Sequence, residues 1–134
     1  MNEVMRLLQP AAWPRPSGYS NGMIALGPTI MLAGQIGWDP VTRRLADGIA
    51  AQVELALQNI VTVLNEADAG PGNIVRLTWF VTDMAQYRRD SRAIGEAYRR
   101  VMGKHFPAMS VIGAASLVEP DALVEIEATA VLRT

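Results

Sequence analysis

Apolar and polar positions alternate along this chain in short runs, interrupted by two stretches with a helical period. Between residues 48 and 68, Ile49, Val53, Ala56, Leu57, Ile60, Leu64 and Ala67 recur at steps of three and four, which aligns them along one side of a helix. Asp47 stands where a side chain can cap the first turn, and Gly70-Pro71-Gly72 supplies a stop. A second helix is expected after Asp83, with Tyr87, Ile94, Tyr98, Val101 and Met102 as its inner stripe and Gly103 at its end. Pro14, Pro16 and Gly18 mark an irregular entry, after which residues 20–26 and 29–35 read as two strands joined at Gly27-Pro28 into a hairpin.

Residues 74–81 carry large apolar groups on both faces: Val75, Leu77, Trp79 and Val81 on one, Ile74 and Phe80 beside Arg76 and Thr78 on the other. Two more strands, at 108–116 and 123–132, are linked through Glu119-Pro120-Asp121, a turn-forming cluster. The order β-β-α-β-α-β-β predicts an α+β fold in which two helices cover one face of a mixed sheet. On the other face, the run Ile30-Met31-Leu32, with Phe80 and Val131, would form a contiguous apolar patch larger than monomers tolerate. Self-association through that face into a closed ring is the economical answer.

No internal repeat divides the chain, so residues 1–134 are read as a single domain, and with half its residues apolar it can bury a core without cross-links. The 12 basic and 13 acidic side chains nearly cancel, which gives neither nucleic acid nor an anionic membrane a long-range attraction. Cysteine is absent and His105 is the single histidine, which excludes thiolate chemistry, cysteine-bound zinc and a histidine-rich metal centre. Gly103-Lys104 is not preceded by a phosphate-cradling loop, and the serines lack a histidine partner for a triad. No cofactor or metal is expected, and hydrolysis, if present, would rest on oxygen acids and backbone groups. The start, residues 1–16, shows no long apolar run after a basic cluster, and a cytoplasmic location is expected.

Glu125 and Glu127 lie two apart on a strand, so both carboxylates share the face opposite Val124, Ile126 and Ala128; an acidic surface and a water-holding site are both compatible with that. Arg88, Arg89, Arg92, Arg99 and Arg100 read as the solvated side of the second helix, interleaved with Asp90 and Glu96. His105 reads as a surface group near a helix end, and Met109 as packing.

Several segments, in order, resemble the Rid (YjgF/YER057c/UK114, RidA-like) family over nearly the whole chain: Gly18-Tyr19-Ser20, Leu32-Ala33-Gly34-Gln35-Ile36 with Asp39-Pro40, Phe80-Val81-Thr82-Asp83, Phe106-Pro107-Ala108-Met109-Ser110 and Val124-Glu125-Ile126-Glu127-Ala128. The resemblance implies a chorismate-mutase-like α+β fold, a homotrimer, and small-molecule sites in three clefts between subunits. It also implies hydrolysis of enamines and imines such as 2-aminoacrylate to 2-keto acids and ammonia. Glu125 would orient the attacking water. Tyr19, Gly34, Phe80 and the segment holding Ala108 and Met109 would line the cleft.

At Met109 the family pattern has an arginine that grips the substrate carboxylate. Truncating one partner of such a charge pair costs about 2–5 kcal/mol, so 2-aminoacrylate should be held poorly. Arg15, Arg43, Arg44 and Arg76 are the candidate substitutes. Two readings follow: a deaminase-type hydrolase for a different substrate, and a non-catalytic trimer that binds a small metabolite in the cleft or acts as a regulator by presenting its surface to a protein partner. An endoribonuclease role, attached to some relatives, has no support in the near-neutral charge.

Overall fold

The computed structural model describes residues 5–133. The readings of residues 1–16 as leader-free and of 1–134 as one domain therefore extend in part beyond the described residues. Strands β1 (Met5–Leu8) and β2 (Gly22–Ala25) form a two-stranded antiparallel ribbon. Strands β3 (Thr29–Ile36), β4 (Ile74–Val81), β5 (Ala108–Gly113) and β6 (Val124–Val131) form the main sheet in the order β3-β6-β4-β5. Strand β4 is parallel to β5 and antiparallel to β6, so the sheet is mixed as expected.

The expected hairpin does not form. β2 pairs with β1, Met5 opposite Ala25, while β3 pairs with β6. Gly27, at φ 139, lies against the Leu132 carbonyl and the Val131 side chain, and Leu132 donates to the Pro28 carbonyl. The Gly27-Pro28 corner thus passes the chain onto the end of β6 instead of folding it back. That contact also covers Val131, which is buried.

Helix α1 (Ile49–Asn65) buries Ile49, Val53, Ala56, Leu57, Ile60 and Leu64, as its period predicts. Its cap is Gly48, at φ 91 with no side-chain hydrogen bond, so Asp47 does not act as predicted; the left-handed backbone there suits glycine. The helix ends before Gly70, and Pro71–Asn73 makes one 3-10 turn leading into β4. The single second helix becomes two, α2 (Met84–Arg89) and α3 (Ser91–Met102), broken at Asp90. Asp83 caps α2 by accepting from the Gln86 N–H, and Gly103 ends α3 at φ 64.

The helices pack on the face of the sheet that presents Leu77, Trp79 and Val81 from β4 and Val124, Ile126, Ala128 and Ala130 from β6. A register shift between Ile74 and Arg76 lets Ile74 join this core in place of Val75. Arg100 pairs with Glu54 at 2.8 Å and ties α3 to α1.

The uncovered face is less apolar than expected. Leu32 belongs to the core, Ile30 packs against it, and Val131 is covered. What stays open is Met31 (75% exposed), Ile112 (45% exposed) and half-buried Phe80, set among Glu125, Glu127 and Thr129. Alternation explains the change: a strand cannot present Ile30, Met31 and Leu32 to one side.

Candidate functional site

The expected site residues separate onto the two faces of the sheet. Glu125 is the cross-strand partner of Phe80, and both lie on the open face. β3 carries one extra residue between Leu32 and Gln35 relative to β6, a bulge that brings Gly34 against the Glu125 side chain. A Cβ on Gly34 would stand 2.7 Å from the Glu125 Cδ, so only glycine leaves the carboxylate where it is. Glu125 is half-buried and Glu127 exposed.

Met109 points the other way. It pairs with Leu77, packs against the core and lines a cavity of about 360 Å³ under α3 at the β5 edge. Ala108, next to it, pairs with Arg76 and bridges to Ser20, whose N–H donates to the Pro107 carbonyl. That bridge fixes the loop carrying Tyr19, which is 42% exposed and borders the same cavity. Tyr19 also borders a second cavity of about 560 Å³ beside the β1–β2 ribbon, with Arg15, Lys104 and Arg133 among its lining residues.

The wall of the Met109 cavity is aromatic. Trp79 meets Tyr87 edge-on, with centroids 6.3 Å apart, and stacks with Tyr98 at 6.2 Å; Tyr98 stacks in turn on Phe106 at 5.4 Å. The Trp79 indole N–H is buried and has no acceptor among the described residues. Burial raises the pKa of both Tyr87 and Tyr98 above the ordinary tyrosine value, Tyr98 by more. The Tyr98 hydroxyl donates to the His105 carbonyl, and His105 Nε2 lies 2.7 Å from the Ile74 carbonyl. His105 is therefore an internal tie between the end of α3 and the start of β4, not the surface group expected; the chain turns inward after Gly103.

None of the expected substitute arginines lines the Met109 cavity. Arg15 borders the other cavity, Arg43 and Arg44 lie in an exposed turn after Asp39, and Arg76 is exposed on the open face. The arginine that does line it is Arg99, although the charge pattern of the second helix places it on the solvated side. Its four-residue spacing from Gly95, which lines the same cavity, was the available signal. Among the described residues no three His, Cys, Asp or Glu side chains gather as a metal site would require, and no helix is long and apolar enough to cross a membrane.

A strand order of β3-β6-β4-β5, helices on one face and a bulge beside Glu125 invite comparison with known proteins. The family model described as Endoribonuclease L-PSP matches residues 11–132. The chain belongs to this family, that of the YjgF/RidA/UK114 proteins. It is 35% identical over 128 residues to the RutC family protein UK114 of Drosophila melanogaster, covering 95% of this chain and 89% of the relative. It is 34% identical over 113 residues to the 2-iminobutanoate/2-iminopropanoate deaminase of Salmonella typhimurium, covering 82% and 84%. The crystal structure of YyfB of Yersinia pestis, a protein of unknown function of the conserved Rid family, superposes with a TM-score of 0.84 at 32% identity over 97% of this chain and all of that one. Rid membership accounts for the mixed sheet and the helix layer. In this chain the methionine at position 109 borders an aromatic cavity.

Proposed function

We propose that this Rid protein is a cofactor-independent enamine/imine deaminase-type hydrolase, acting in clefts between the subunits of a homotrimer on a substrate other than 2-aminoacrylate. Water adds to the imine carbon, the C–N bond breaks, ammonia leaves and a carbonyl compound remains. Glu125 holds the water and takes its proton. The observation that carries the reading is the division of the site: Glu125, Gly34 and Phe80 lie on one face of the sheet, Tyr19 and Met109 on the other. A single chain cannot bring these groups to one ligand. A neighbouring copy packed by its open face against the β5 edge can, and exposed Met31 and Ile112 give that face apolar contact area. The deaminase name of the Salmonella relative supports the same chemistry.

Met109 also favours a second reading, a catalytically silent trimer that binds a metabolite in the same cleft. Ammonia release from imines generated from amino acids of graded side-chain size separates the two. Turnover above buffer for at least one imine, lost in Glu125→Gln, is the expected result. No turnover with any of them leaves the binding reading.

A further inference from the structure

The Met109 cavity has the wrong lining for a small anionic imine and the right one for something larger. Its walls are the Trp79, Tyr87, Tyr98 and Phe106 rings, and its volume of about 360 Å³ lies in the range that holds a drug-sized ligand. Offset stacking and edge contacts with such rings favour a flat, π-bearing ligand, each contact contributing beyond simple area burial.

One charge stands at the mouth. Arg92 is paired with Glu96 and Arg100 with Glu54, whereas Arg99 has no ion-pair partner among the described residues. Arg99 runs back along α3 past Gly95 to border the cavity. A Cβ at position 95 would stand 3.5 Å from Arg99 Nη1, so the guanidinium lies back along α3 over a residue without a side chain. Gly95 and Arg99 line the cavity together with Met109. The only charged group on this lining is thus a cation with an unused planar fork of donors, which matches a carboxylate in two-point fashion.

We infer that Arg99 is the carboxylate anchor of this cavity and that the ligand class is an aromatic carboxylate, such as an aryl 2-keto acid or the imine that yields it. The inference takes its substrate chemistry from the hydrolytic reading above, but binding alone tests it. Arg99 does from α3 what an arginine at position 109 would do from β5, and the aromatic walls take the space that anchor leaves.

The test is calorimetric titration of the full-length protein with phenylpyruvate and with pyruvate. Phenylpyruvate should bind at least tenfold tighter. Arg99→Gln should weaken phenylpyruvate binding by about tenfold, the size of a lost charge-assisted hydrogen bond. Arg99→Lys should recover part of the loss. Arg92→Gln should leave binding unchanged. Equal affinity for the two acids, absence of binding to either, or full affinity in Arg99→Gln overturns the inference. Ammonia release from imines with unchanged phenylpyruvate binding in Arg99→Gln removes the anchor and keeps the hydrolase. Arg99-dependent binding without ammonia release from any imine keeps the anchor and removes the hydrolase.

Discussion

Glu125 lays its side chain across the backbone of Gly34, so closely that a methyl group on Gly34 would stand 2.8 Å from the Glu125 Cγ and 2.7 Å from its Cδ. The contact exists because the β3 bulge places an extra residue opposite β6 where the glutamate projects. Gly37, just past β3, makes a different close approach, against the backbone of Gln52 in α1. The two glycines should therefore fail differently.

Gly34→Ala pushes aside a flexible carboxylate and should shift the melting temperature by only a few degrees, while imine turnover falls about 100-fold, the penalty for misplacing a reacting group by about an ångström. Gly37→Ala meets backbone that cannot yield and should destabilise by about 1–3 kcal/mol or more. Thermal melts and ammonia release on both variants check this. Full turnover in Gly34→Ala would remove Glu125 from the chemistry.

Met31 and Ile112 should be covered in the assembled protein. Sedimentation should find the wild type as a trimer, and Met31→Asp with Ile112→Asp should shift it toward single chains by burying charge in an apolar contact. A wild type that sediments as one chain would end the intersubunit cleft.

Restoring the family anchor by Met109→Arg should raise ammonia release from 2-iminopropanoate at least tenfold, because a second guanidinium then faces the cavity that Arg99 borders. No gain in a folded variant would mean that more than the anchor separates this chain from its deaminase relatives.

Tyr98 and Tyr87 are held neutral by burial, with pKa values raised above the ordinary 10.0. In the unfolded chain they ionise near that ordinary value. Their contribution to stability is thus complete below about pH 10 and declines as the pH rises from there toward their folded-state values. Denaturant midpoints should fall with a steepening slope above about pH 10, and Tyr98→Phe should flatten that slope. At neutral pH the same variant should lose about 0.5–1.5 kcal/mol, because the His105 carbonyl loses its donor.

Much of this architecture is legible in local pattern. The α1 stripe, the β4 span, a helix start after Asp83 and Gly103 as a stop are each encoded within a few residues, and each appears where the pattern puts it. The errors arise where a distant element competes. Asp47 loses the cap to Gly48, whose backbone conformation needs no side chain, and β2 finds a better partner in β1 than across Gly27. The family resemblance identifies the candidate residues, but their separation onto two faces follows from register with β4, and register is a long-range property.

The sequence by itself determined the period of each element, the turn chemistry between most of them, the family, and the absence of arginine at position 109. Those depend on residue identity and spacing along the chain. Only the tertiary structure decided that Val131 is covered, that His105 is an internal tie, that Glu125 rests on Gly34, and that Arg99 reaches the aromatic cavity. Each of these relations joins groups set by strand register, a bulge or a helix packed over a sheet edge, and the balance among such contacts is struck by the whole core at once.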